Sequence, residues 1–189
     1  MEEKQYGSST IAMKIAMAAV LTAVTAVFTL AVRIPIAPTR GYINLSDVAI
    51  YFTAFTFGPV TALIAGGLGT AIADIIAGYA QWAPISLVIN AVRGLAVGLI
   101  IRWAVRNKTV SVPGPYDPLT VNGVAIASLV GMVIMVGLYF LAGGIMVGFP
   151  AAAVEIPGNI VQNVVGISVG TLLSVSVFRA YPPVRRLSW

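Results

Sequence analysis

Glu155, Asn159, Gln162 and Asn163 stand in a segment otherwise apolar enough to cross a bilayer. At about 3.6 residues per turn they fall at i, i+4, i+7 and i+8 of one helix, so they share a face that Gly166 and Gly170 continue. Polar groups left unsatisfied in hydrocarbon cost several kcal/mol, so such a face turns toward a bundle interior and often marks a substrate or ion path. Interhelical hydrogen bonding that only holds a bundle together is the other reading. A second stripe, Ser86, Asn90 and Arg93, lies at i, i+4 and i+7 of another apolar segment. Arg93 at mid-membrane costs at least about 2.5 to 3.5 kcal/mol on insertion scales, so it requires a partner, and Glu155 and Asp74 are the acidic candidates. Its fork of donors would serve an anionic or carbonyl-rich ligand, or simply a structural ion pair, and both readings stay open. Asp74, with Thr70 one turn before it, either borders the same site or anchors Gly78-Tyr79, the structural role being the favoured one.

Other chemistry is excluded by what is missing. The chain has no cysteine and no histidine, which removes disulfides, thiol nucleophiles, imidazole acid–base chemistry and the usual zinc ligands. It has no GxxxxGK[ST] phosphate loop and no HExxH, so it cannot hydrolyse ATP by itself. An enzyme would have to be built from Glu155 with Arg93 or Asp74. No catalytic residue, metal site or cofactor is expected.

The elements that must position these stripes are membrane helices. Of 189 residues 59% are hydrophobic and 9% charged, with a mean hydropathy of +0.96, far beyond what a soluble domain needs. Six spans are expected in a single membrane domain, at about 10–32, 47–57, 60–77, 84–105, 119–146 and 151–181. The first is read as a helix opened by Ser8, Ser9 or Thr10 rather than as a cleaved signal. Arg33 to Asn44 is read as a broken polar loop, Ser46 or Asp47 as the cap of a second helix that is partial or tilted, and Asn107 to Pro118 as the longest polar loop. Six spans leave both termini on one side. Lys4, Lys14, Arg102, Arg106, Lys108, Arg179, Arg185 and Arg186 gather there against Arg33 and Arg40 opposite, which places the termini in the cytoplasm. The net charge of +5 thus reads as cytoplasmic loop residues, and no nucleic-acid partner is expected.

Helix one carries Ala12-Ala16, Ala18-Thr22-Ala26 and Ala19-Ala23, small residues four apart that let another helix approach closely, and Gly66, Gly67 and Gly69 of helix three read similarly. The first helix has no polar stripe on this reading, which leaves its smooth face for a partner.

Several segments carry a joint pattern: Arg33-Ile34-Pro35, Gly41-Tyr42-Ile43-Asn44-Leu45-Ser46-Asp47, Phe57-Gly58-Pro59, Ala73-Asp74 with Gly78-Tyr79, Trp82-Ala83-Pro84, and Glu155-Ile156-Pro157-Gly158-Asn159 with Gln162 and Gly166. Taken together they resemble the substrate-binding S components of energy-coupling factor (ECF) transporters, in the riboflavin, hydroxymethylpyrimidine or pyridoxine branch. The resemblance implies an all-α integral membrane bundle of six helices in a prokaryotic plasma membrane. It implies a vitamin-like ligand held on the extracytoplasmic side by the first loop and helices four to six, so that Asn90, Arg93, Glu155, Asn159, Gln162 and Asn163 are the candidate ligand contacts. It also implies that helix one docks through Ala12, Ala16, Ala19 and Ala23 on a transmembrane coupling protein powered by two ATPase subunits, whose ATP-driven changes topple the S component and carry the ligand inward. Family members often have a lysine and a glutamate where this chain has Asn90 and Arg93, so ligand identity transfers least. The residues alone leave a self-sufficient carrier or channel as the alternative.

Overall fold

The structure, a computed structural model, describes residues 2–107 and 121–189. Most of the expected loop after Asn107, with Lys108, lies outside the described residues, as do Leu119 and the side chains of Lys4, Arg185 and Arg186. In chain order the elements are α1 (Glu2–Ala31), β1 (Ile34–Ile36), β2 (Gly41–Ile43), α2 (Ser46–Phe57), α3 (Pro59–Ala77), α4 (Ala83–Arg106), α5 (Val121–Val147), α6 (Phe149–Ala153) and α7 (Glu155–Ala180), followed by a 3-10 turn, Pro182–Leu187. Five helical segments are long and apolar enough to cross a membrane, the last of them running from Phe149 to Ala180.

The exception is α2. Its 12 residues rise only about 18 Å against a hydrocarbon core of about 30 Å. Eleven of them, all but Phe52, are buried, because α2 is the central post of the bundle, packed by α7, α3, α4 and α1. Its apolar side chains therefore face helices on every side rather than lipid. The missing length leaves a hollow above its N-terminus, roofed by the segment that precedes it. At the other end Gly58, with φ 86°, allows the chain to reverse directly into Pro59 and α3.

Arg33 to Asn44 is a short antiparallel hairpin, with Ile34 opposite Ile43 and Ile36 opposite Gly41, where a broken loop is expected from its prolines. The turn uses Arg40 at φ 51°, and the Trp82 indole N–H donates to the Arg40 carbonyl at 3.2 Å, tying the hairpin to the start of α4.

Close approach by small residues occurs inside the bundle. A Cβ on Gly67 would lie 2.9 Å from the Ala91 Cβ of α4, and one on Gly69 would lie 2.6 Å from the Thr25 Cβ of α1. The glycines of α3 thus seat α1 and α4 and are not an outward face. Gly166 and Gly170 of α7 do the same against α2, where added Cβ atoms would fall 2.8 Å from the Asp47 carbonyl carbon and 2.9 Å from the Tyr51 Cβ. The polar stripe of α7 therefore changes character along its length, open to a cavity at Glu155 and pressed onto α2 by Gly166. Substituting Gly166 by Leu should push α7 off α2 and cost about 1 to 3 kcal/mol in a denaturation measurement.

Three expectations change. The first helix already begins at Glu2, upstream of the Ser8 to Thr10 caps. The last span is interrupted at Val154, so that Glu155 opens α7. Neither Ser46 nor Asp47 caps α2; the Asn44 side-chain oxygen instead accepts the Ser46 N–H at 2.8 Å, which leaves Asp47 free to turn inward.

Candidate functional site

The hollow above α2 is a cavity of about 40 Å³, counted as the space open to the centres of water molecules. Its lining comes from nearly every element: Thr29 of α1, Gly41 and Tyr42 of β2, Asn44, Ser46 of α2, Thr70 and Asp74 of α3, Trp82, Ser86 and Asn90 of α4, Met135 and Tyr139 of α5, and Glu155, Asn159 and Gln162 of α7. Ser86 and Asn90 of one polar stripe and Glu155, Asn159 and Gln162 of the other converge here, without Arg93 and Asn163. Residues one helical turn apart on α4 and α7 reach the same space because those helices stand on either side of the short post.

Around the wall most polar atoms are held by neighbours. The Asn90 amide donates to Thr70 Oγ1 and to the Tyr139 hydroxyl, both at 3.1 Å, and Tyr139 donates to Ser86 Oγ at 2.8 Å. Gln162 Oε1 accepts the Asn44 backbone N–H at 2.8 Å, and Glu155 Oε1 accepts from the Thr39 hydroxyl. These two bonds stitch the hairpin to α7 and make it the roof. Tyr42 donates to Asp74 Oδ1 at 2.6 Å, and its ring lies 4.5 Å, centroid to centroid, from that of Tyr79 at a tilt of 41°. Burial, and then the hydrogen bond to Asp74, push the Tyr42 phenol well above its ordinary value, so it remains a donor wherever the protein is folded. Asp74 thus serves both readings, lining the cavity through its side chain while its carbonyl accepts the Tyr79 N–H at 2.8 Å. Asn159 is different: it lines the cavity at 7% exposure, and no hydrogen bond occupies its side chain among the described residues.

Arg93 and Asn163 do not line this space; both are fully buried beside α2. Arg93 pairs with neither Glu155 nor Asp74. Its Nη2 lies 2.7 Å from Asp47 Oδ1, with the guanidinium 5.6 Å from the Tyr51 ring centroid. The physical reason is depth: because α2 starts inside the bundle, its first-turn acid meets the middle of α4, while Glu155 and Asp74 are engaged higher up with Thr39 and Tyr42. Arg93 is therefore charge-neutralised, and its guanidinium forms no part of the cavity lining. Asn163 joins the same layer, accepting from the Tyr51 hydroxyl at 3.0 Å and donating to the Asn159 carbonyl at 3.0 Å.

The sequence reading missed Tyr42, Asn44, Tyr139, Trp82 and Met135 as lining residues. The hairpin segment reads as a broken polar loop with no periodic pattern, and a lone Tyr in α5 carries no periodic signal. What the arrangement can do is bind: it offers amides, hydroxyls, two carboxylates and three aromatic rings, and no lysine or arginine.

The family model for the S component of ECF-type riboflavin transporters matches residues 10–179. The thiamine precursor transporter HmpT of Lactococcus lactis subsp. cremoris (strain MG1363) is 32% identical over 168 residues, covering 88% of each chain. A protein of Pyrococcus woesei described only as an uncharacterized protein in a gap 3' region is 35% identical over 144 residues, 76% of this chain and 87% of that one. Its match throughout this length makes the chain a member of the ECF-type riboflavin transporter S component family, a multi-pass plasma-membrane subunit that selects a vitamin or vitamin precursor for uptake and is not an enzyme.

Proposed function

We propose that the cavity takes a small, unphosphorylated single-ring heterocycle, with the hydroxymethylpyrimidine precursor of thiamine as the best fit. The observation that carries this is the size of the space. At roughly 10 to 15 Å³ per water on this measure, 40 Å³ holds three or four waters, about 100 Å³ of molecular volume, which suits one substituted ring and not three fused ones. The chemistry of the wall agrees. An aminopyrimidine has ring nitrogens for the Asn159 amide and an exocyclic amine and hydroxyl for Glu155 and Asp74, while Trp82, Tyr42 and Tyr139 offer faces to its ring. A phosphorylated vitamin would meet two carboxylates and no cation. Asn90 and Gln162, already bonded on one side, orient the wall, and the Arg93 and Asn163 layer is its floor.

In this reading the hairpin end faces outward, supported by the basic residues gathered at the other end. The exposed small-residue face of α1 docks on a transmembrane coupling protein carrying two ATPase subunits.

Titrating the detergent-solubilised chain with hydroxymethylpyrimidine, thiamine and riboflavin is the test. The pyrimidine should bind at least tenfold more tightly than riboflavin; equal or tighter riboflavin binding overturns the assignment. Asn159→Leu and Gln162→Leu should each weaken the pyrimidine at least tenfold, about 1.4 kcal/mol, with the protein still folded. Unchanged affinity in both removes the ligand from this face.

A further inference from the structure

A second cavity lies at the opposite end of the bundle, between the C-terminal turns of α2 and α4 and the end of α7. Its volume is about 360 Å³ on the same measure as the first, and Arg102, Arg106, Thr56 and Ser188 bring polar groups to its lining. At roughly 10 to 15 Å³ per water this is room for more than twenty, far beyond an inorganic phosphate. Its other walls are apolar, among them Phe55 and Ile101.

The two guanidiniums are one turn apart on α4, so they present charge to one side of the helix. Among the described residues no carboxylate pairs with either, the one described ion pair being that of Arg93 with Asp47. No described residue of the lining is acidic. The N-terminus of α3 borders the space at Gly58, but the Val60 N–H is already taken by the Trp189 carbonyl at 3.1 Å, so the arginines and not the helix end carry the positive charge. Arg102 is half-buried and Arg106 exposed, at the end of a helix otherwise apolar enough to span a membrane. This is where a lipid headgroup meets its acyl chains.

From this combination we infer that the cavity is a binding site for an anionic phospholipid. The phosphate sits between Arg102 and Arg106, and the glycerol and first acyl carbons lie against Phe55 and Ile101. The site is separate from the vitamin-precursor cavity and does not depend on what that cavity holds. Guanidinium recognition of phosphate accounts for the head, and the apolar walls account for choosing a lipid over a free ion.

The test is calorimetric titration of the full detergent-solubilised chain with dihexanoyl phosphatidylglycerol, dihexanoyl phosphatidylcholine and inorganic phosphate. Phosphatidylglycerol should bind near one per chain and at least tenfold more tightly than either of the others. The Arg102→Gln/Arg106→Gln variant should lose that preference. Val105→Trp, which keeps both charges but fills the space, should also lose it, and thermal unfolding of each variant close to the parent shows that the loss is local. Phosphatidylcholine binding as well as phosphatidylglycerol would overturn the proposal, because the arginines would then select nothing. So would inorganic phosphate matching the lipid, which would make this a free-anion site, and so would full phosphatidylglycerol affinity in the double variant.

Discussion

Replacing Arg93 by Met should destabilise the protein by about 3 to 5 kcal/mol, the usual consequence of removing one member of a buried pair and leaving the other charge unpaired. Here the orphan is Asp47, 1% exposed, on the central helix. Its second oxygen and the Nε and Nη1 of Arg93 find no further hydrogen-bond partner among the described residues. The pair is therefore poorly compensated, and its net contribution relative to an apolar pair is small even though breaking it is costly. Two measurements follow. Denaturation of Arg93→Met in detergent should show the loss, and Asp47→Leu/Arg93→Met together should recover most of it, since neither charge then remains. Should Arg93→Met prove as stable as the parent, or the double variant be as unstable as the single one, the ion pair is not what the buried arginine is for.

That pair also marks where sequence reasoning stops. The need for a partner was legible, because a lone arginine deep in an apolar helix cannot stand unpaired. Its identity was not. Asp47 stands just before an apolar run, the usual place for a cap, and only the shortness of α2 brings it down to the level of Arg93. The α7 stripe was legible because four polar side chains at helical spacing cannot face hydrocarbon and must turn to the bundle interior. Its division into Glu155, Asn159 and Gln162 at the cavity and Asn163 in the floor was not, because it depends on where α2 begins. The roof was hidden by its composition: Pro35, Pro38 and Gly41 signal a loop, and three residues on each side of a turn are too few for an alternating strand pattern to show. Five long helices could be read from hydropathy alone, whereas the post at their centre looks like a defective span until its neighbours are seen to enclose it.

Ala19→Trp and Ala23→Trp should abolish association with the ECF module while leaving ligand binding intact, the largest functional effect expected from any single surface change. In α1 the buried side is formed by Ala18, Leu21, Thr25, Ala26 and Thr29, which meet α3 and α2, with Thr29 reaching the cavity above α2. The helix thus has a polar side after all, turned inward. Ala12, Ala16, Ala19 and Ala23 fall on another side and are all exposed. Ala18 and Ala26 share the internal packing with Leu21 and the two threonines, whereas Ala12, Ala16, Ala19 and Ala23 take no part in it and are not needed small for the fold. A face left smooth without an internal reason fits close approach by a helix of another subunit, and a Trp ring there would hold the two backbones apart. Because the substituted side points away from the cavity, the isolated variants should bind ligand as the parent does. They should fail to co-purify with the coupling protein and its ATPase subunits, and vesicles containing the complex should lose ATP-dependent uptake. If both tryptophan variants sustain full uptake, docking occurs elsewhere. If vesicles holding this chain alone accumulate ligand, the chain transports unaided and the smooth face is not a docking surface for a coupling protein.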